Sequence, residues 1–493
     1  MKTENYKKSF SLLLIWLFSA AAVSAQNDTL RPAKEKRVPV IKWKLAYHQT
    51  LTLKLFLSQA GYDGKYKSRD NDSSTVYLRI ADAMEVIKKI DNLTLGIPKI
   101  IYLVGWQYNG HDSKYPAWFE GNERLKRPGD KNAIESIRWL MKEAKRYHTT
   151  VSLHINMFDA YEDSPLWKEY VAHDIIAKNK DGSLRSGEWG YPISYAQEWK
   201  TGFAQKRIDS LCKLLPVQEA GTIHIDAFHT WPPIPSVDST GKSFVNLGKG
   251  PTSPYLKFTV QDETKAQVSI FNYWASKGID VTSEGVDFLR ETDFAGLQPM
   301  AWWFTRSPQE YLDYPASFYT GGVDRDDWGK LFGSSMHGEQ EIKEDTVSFE
   351  KFLGSFCMNT LPWYYLNRLE RKYAVEDKDF KKAVFSGNVE SGSKSGRYYL
   401  LQNKDTLASG DDLLIPALWT VSPSVIAFSR NGYENREWKL PTGFGSALEV
   451  DVYSISAEGQ KFLHKVKADK GFIRLSVPAG KGFLLRPGGS NKN

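Results

Sequence analysis

The chain reads as an α/β protein, a (β/α)8 TIM-like barrel followed by a C-terminal all-β sandwich. Two observations predict the barrel. From residue 52 to about 305, short β-branched runs alternate with segments of helical periodicity, the pattern of successive βα units. Six such units in one series favour a barrel over an open sheet, and in a barrel the chemistry sits where the strands end at their carboxyl side. A third observation predicts the sandwich. After about residue 380 the texture changes to short alternating runs broken by Gly, Ser and Pro, among them "GRYYLLQN", "SVIAFS" and "GFIRLSV", as expected of antiparallel strands.

The elements follow in order. "LTLKLFLS" is the first strand, and Val76, Ile80, Ala83, Ile87 and Ile90 recur at helical spacing behind it. "KIIYLVGW" (99–106) is an almost unbroken apolar run, which predicts a strand buried on both faces. Ile134, Ile137, Met141 and Ala144 mark the next helix, followed by the strand "TTVSLHIN" (149–156). "GTIHIDAF" (221–228) is a strand, and a helix over about 262–277 carries Val268, Phe271 and Trp274 before Gly278 stops it. "IDVTSE" (279–284) and "GLQPMAWWF" (296–304) are the next strands, whereas 310–375 is poorly marked. The lysine-rich stretch 375–385 reads as a linker. The expected organisation is thus a signal peptide (1–25), an N-terminal extension (26–50), the barrel (51–378) and the sandwich (379–493).

The signal peptide is expected because Lys2, Lys7 and Lys8 precede an apolar run from Phe10 to Ala22 that ends in Val23-Ser24-Ala25. That run is too short to cross a bilayer, and no later stretch approaches the roughly 20 apolar residues a membrane helix needs. The expectation is an exported protein, periplasmic or extracellular, with no membrane span. The formal charge of +7 falls to about +5 once the leader is removed. Basic and acidic residues are interspersed, which argues against nucleic acid as a partner. Cys212 and Cys357 do not establish a disulfide by themselves. The 16 Trp and 25 Tyr suit a carbohydrate partner, because sugar rings stack on flat aromatic faces, although most such residues serve a core.

Polar residues gather at the expected strand ends: Asn109, His111 and Asp112, then His154 and Asn156, then His224 and Asp226, then Glu284. Polar groups directed into a buried barrel mouth cost several kcal/mol unless they are paired or used. Asp226 and Glu284 form a natural carboxylate pair. Retaining glycosidases need one carboxylate to attack the anomeric carbon and a second, as the acid, to protonate the leaving oxygen, about 5–5.5 Å apart. The bland readings are an Asx turn for Asp226 and a salt bridge or helix start for Glu284. A rival chemistry has His154, His224 and Asp226 holding a metal, but no His-x-His, Glu-x-x-His or Cys cluster accompanies them. The expectation is therefore no metal and no cofactor.

"GWQYNGHDSKYP" (105–116), "EAKRYHTTVSLHINMFDAY" (143–161), "IHIDAFHTW" and "KGIDVTSEGVDF" occur in this order, and together they resemble the catalytic barrel of glycoside hydrolase family 101, the endo-α-N-acetylgalactosaminidases. The likeness runs over about residues 50–340. It implies a retaining enzyme that releases galactosyl-β-1,3-N-acetylgalactosamine from Ser or Thr of mucin-type glycoproteins. It also implies Asp226 as nucleophile and Glu284 as acid/base. Asp112, His111, His154, Asn156 and His224 would then hold the sugar, with Trp189, Trp302 and Trp303 as aromatic contacts. The sequence departs from the family in being short, in setting the two carboxylates 58 positions apart, and in having Gly285-Val286 after Glu284. An exo-acting α-galactosidase or α-N-acetylgalactosaminidase, and a glycan-binding protein without turnover, are the alternatives.

Overall fold

The computed structural model describes residues 28–32, 43–61, 73–187, 189–226, 228, 234–237, 240–246, 250–283, 307–316, 327–333 and 346–489. The expected signal peptide and the expected strand 296–304 lie outside them. The chain opens with β1 (Asp28–Leu30), then β2 (Leu51–Phe56), the hairpin β3 (Ser58–Ala60) and β4 (Ser74–Val76), and α1 (Ile80–Leu93). Next come β5 (Lys99–Val104), α2 (Ala133–Glu143), β6 (Thr149–Asn156), β7 (Asp159–Ala160), α3 (Trp167–Ala172) and β8 (Tyr191–Pro192). Helices α4 (Tyr195–Lys200), α5 (Phe203–Leu214) and α6 (Val217–Ala220) lead into β9 (Thr222–Asp226). The hairpin β10 (Ile234–Val237) and β11 (Ser243–Asn246), then α7 (Val260–Ser276), precede β12 (Asp280–Ser283).

Strands β2, β5, β6, β9 and β12 lie side by side in chain order, all parallel. Register sorts their side chains by the period-2 rule. Leu51, Leu53 and Leu55, with Ile101, Leu103, Val151, Leu153, Ile155, Ile223, Ile225 and Val281, join one apolar cluster with the buried stripes of α1 and α2. The other face carries Lys54, Tyr102, Ser152, His154, Thr222, His224 and Thr282, all buried. The unbroken burial of β5 was legible in its composition. The polar character of the opposite face is what makes it a site.

Val76, expected in the first helix, belongs to β4 instead, because Ser74–Val76 pairs with Ser58–Ala60. The helix begins where Asp82 accepts the Arg79 N–H at 3.2 Å and closes the free amide end. Helix α7 starts at a reciprocal Thr259–Asp262 cap and is followed by Gly278 at φ 73°.

Within 310–375, helices α8 (Pro308–Asp313), α9 (Asp327–Phe332), α10 (Thr346–Ser355) and α11 (Leu361–Asn367) occupy the stretch where the sequence pattern was weak. The C-terminal strands are β13 (Arg371–Asp377), β14 (Phe380–Phe385), β15 (Val389–Lys394), β16 (Arg397–Gln402), β17 (Asp405–Ser409) and β18 (Asp412–Pro416). They continue with β19 (Val425–Ser429), β20 (Tyr433–Lys439), β21 (Glu449–Ser456), β22 (Gly459–Asp469), β23 (Phe472–Val477) and β24 (Lys481–Pro487). These strands and β1 make one 13-stranded antiparallel order rather than two separate sheets. The lysine-rich stretch 375–385 is not a linker but the β13–β14 hairpin, with Glu376 opposite Lys381. Lysines suit solvent-facing positions of a strand as well as they suit a loop, so composition misled there. β1 pairs with β13, tying the N-terminal extension to the C-terminal sheet.

On β19, Ile426 and Phe428 face the main core, while Val425 and Ala427 join a second core with Trp438, Ile473, Leu475 and Leu485. The far strands thus fold back over the sheet's outer face. The inner face docks on α1, where Asn92 Nδ2 donates to the Ala457 carbonyl at 2.8 Å and Trp419 Nε1 to that of Thr94 at 3.0 Å. Both cysteines are free thiols, so the stability is that of the core. No helix among the described residues is long and apolar enough to cross a membrane.

Candidate active site at the carboxyl ends of the parallel strands

Register alone brings most of the site together. His154 stands opposite His224 and Asn156 opposite Asp226 across the β6–β9 pair, so all four side chains project from the same face. The two imidazoles stack at 5.1 Å with planes 28° apart. His224 Nδ1 is 2.9 Å from Thr282 Oγ1 on β12. His154 Nε2 lies 3.8 Å from Asp226 Oδ2, with the histidine side chain 1% and the aspartate 18% exposed. Burial pushes the His154 pKa well below the usual histidine value, and the charges of Lys54, His224 and His111 push it the same way. His154 is therefore a neutral ring, and neither of its nitrogens makes a hydrogen bond among the described residues.

The loop after β5 supplies His111 and Asp112, and its path is set by backbone geometry. Gly105 has φ 73°, and a Cβ there would lie 1.9 Å from the Ser58 carbonyl oxygen, so only glycine lets the chain cross so close to β3. The His111 N–H then donates to the Ser58 carbonyl at 2.9 Å, and Gln59 Nε2 donates to the His111 carbonyl at 3.1 Å. So held, the His111 ring sits 5.3 Å from His154, with its Nε2 3.6 Å from Asp112 Oδ1. Asn109 is turned to structure, its Oδ1 accepting from Arg124 at 3.3 Å.

Three further residues belong here and were not found by reading the sequence. Lys54 is buried on the inward face of β2 close enough to depress the His154 pKa; its signal was a lone lysine at an inward position of "LTLKLFL". Tyr115 is fully buried, its pKa raised by burial first and then by the nearby carboxylates of Asp112, Asp226 and Asp159. It stays protonated, and its oxygen accepts from Gln107 Nε2 at 3.1 Å. Asp159 receives Asn156 Nδ2 at 2.7 Å. That contact, with Asn156 Oδ1 accepting from Phe158 N at 2.7 Å and Asp159 N at 2.8 Å, makes Asn156 the builder of the turn after β6. Its Oδ1 and one of its Nδ2 hydrogens are thus engaged within the protein.

Trp189 is 54% exposed. It precedes Gly190, which packs against Asp159, so its loop borders the site. Glu284, Trp302 and Trp303 lie outside the described residues. The rival metal set also changes: among the described residues the groups that converge are His111, His154 and Asp226, with ligand atoms all within 4.8 Å of one another. His224 is drawn off to Thr282.

The site gathers histidines and a part-exposed aspartate at the carboxyl ends of parallel strands, and comparison with known proteins supplies the class. Residues 65–277 match the family model of endo-alpha-N-acetylgalactosaminidase, glycoside hydrolase family 101, a match that supports a glycoside hydrolase. A Renibacterium salmoninarum protein bearing the name of an endo-alpha-N-acetylgalactosaminidase is 21% identical over 425 residues, covering 82% of this chain. The chain spans only 24% of that relative's length. Among solved structures, the ligand-bound alpha-N-acetylgalactosaminidase NagBb of Bifidobacterium bifidum aligns with a TM-score of 0.47 and 12% identity, over 72% of this chain and 57% of the other. The α-galactosidase AgaA of Geobacillus stearothermophilus aligns with a TM-score of 0.41 and 11% identity, over 88% and 55%.

Proposed function

We propose that the chain is an exported, retaining α-glycosidase that cleaves α-linked N-acetylgalactosamine-containing O-glycans from Ser or Thr of glycoproteins. The observation that carries the reading is the placement of Asp226 at the end of β9, part-exposed and 3.8 Å from a buried neutral His154. That position points the Asp226 carboxylate into the same mouth as His111 and His154. Asp226 attacks the anomeric carbon and forms a β-linked glycosyl-enzyme while Glu284 protonates the departing oxygen; Glu284 then takes a proton from the incoming water. The described part of β12 ends at Ser283, opposite Ile225, and Glu284 is the next residue of the chain. His111, His154 and Asp112 accept from sugar hydroxyls, and the Tyr115 hydroxyl is available to donate. Positioned hydroxyl contacts orient the bond for attack.

The reading includes closure of the five described parallel strands into a barrel by segments beyond Ser283, export through residues 1–25, and aromatic contacts from Trp189, Trp302 and Trp303. No cofactor takes part. The test is hydrolysis of aryl α-glycosides of galactosyl-β-1,3-N-acetylgalactosamine and of N-acetylgalactosamine, with the first-formed anomer followed by NMR. Release of the disaccharide as its α anomer is expected. Release of the monosaccharide alone would make the enzyme exo-acting, a β first product would remove retention, and binding without turnover would make it a glycan-binding protein.

A further inference from the structure

His111, His154 and Asp226 come from three different strand ends, yet each offers a ligand atom within 4.8 Å of the others. Both ring nitrogens of His154 and Nδ1 of His111 are buried and make no hydrogen bond among the described residues. Buried polar nitrogens, lone pair or N–H, are costly when left unused. Asp112 Oδ1 lies 3.6 Å from Nε2 of His111, within reach of the carboxylate-to-histidine hydrogen bond that orients a metal-bound ring if the two close by about 0.6 Å.

We propose that these three residues form a binding site for a borderline-soft divalent ion, Zn2+ by choice, and that the ion and the sugar exclude one another there. Two imidazoles and one carboxylate are the donor set that suits Zn2+, with a fourth position left to water. A tetrahedral site with Zn–N of about 2.0 Å wants donor atoms about 3.3 Å apart, so separations among the three donors need to shorten by up to about 1.5 Å. Ionic Mg2+ and Ca2+ prefer all-oxygen cages and are not expected to bind. A bound ion takes the Asp226 oxygen that would attack the sugar and the His154 nitrogen that would hold it. The ion therefore inhibits; this consequence rests on the proposed role of Asp226, whereas binding itself does not.

The experiment is a Zn2+ titration of the chelator-treated full chain by calorimetry, with Co2+ absorption as a spectroscopic stand-in, beside the same titration of His111→Ala and His154→Gln. One saturable equivalent, a visible Co2+ band, and at least tenfold weaker binding in each variant are expected. His111 is part-exposed on the rim, so its variant tests the site even if His154→Gln fails to fold. No saturable binding below millimolar Zn2+, or equal affinity in the His111 variant, overturns the site. Hydrolysis is expected to fall as Zn2+ fills the site and to return with chelator; activation by Zn2+ would overturn mutual exclusion. If Zn2+ binds while Asp226→Asn keeps full activity, the site stands and the glycosidase assignment of Asp226 fails.

Discussion

Asp226 Oδ2 stands 3.8 Å from Nε2 of His154, at the point where β9 and β6 end in register. In the proposed mechanism the Asp226 carboxylate is the nucleophile. Asp226→Asn keeps the shape of the side chain and removes that charge. We expect kcat/KM on the activated aryl glycoside to fall on the order of 10⁴-fold, with the melting temperature nearly unchanged. Measured kcat/KM within tenfold of the parent would dismiss Asp226 as the attacking group.

The pH dependence of stability should show two opposed groups. His154 is held neutral by burial, so below about pH 6.5 the unfolded chain takes up a proton that the folded one refuses, and stability falls with falling pH, by at most about 1.4 kcal/mol per pH unit. Glu263 is buried beneath the start of α4, and burial pushes its pKa up to about 8 despite hydrogen bonds from Ala196 N and Ser194 Oγ. The folded chain keeps that proton where the unfolded one loses it, so stability falls as pH rises from about 4.5 to about 8. Glu263→Gln should flatten the upper limb and His154→Gln the lower one, in unfolding midpoints measured from pH 4 to 9. An unaltered profile in either variant would remove that group from the account.

Asn156 anchors the turn that carries Asp159. Asn156→Ala leaves the Phe158 and Asp159 amides without an acceptor in a buried place, an expected loss of about 2–3 kcal/mol in urea unfolding. A change under about 0.5 kcal/mol would show that the turn does not depend on it.

Gly105 and Gly129 separate crowding from backbone strain. Both have positive φ, but a Cβ at Gly105 meets the Ser58 carbonyl at 1.9 Å, whereas at Gly129 nothing lies within 4 Å. Gly105→Ala should cost about 3–5 kcal/mol and Gly129→Ala about 1 kcal/mol. Similar losses by calorimetry would refute the steric reading of the loop after β5.

Much of this protein follows from local pattern. Helical spacing located α1, α2 and α7, and β-branched runs located β2, β5, β6, β9 and β12, because amphipathic periods of 3.6 and 2 are written into neighbouring residues. The same period put His154, Asn156, His224 and Asp226 at inward positions of their strands. Tertiary structure alone decided which strand ends meet. Only packing brought His111 rather than His224 into one cluster with His154 and Asp226, buried Lys54 beside them, turned Asn156 back onto its own loop and joined β1 to β13 across more than 300 residues. The reason is physical: a strand's own sequence sets which face a side chain takes, while register, neighbours and burial are set by hydrogen bonds and contacts with residues far away in the chain.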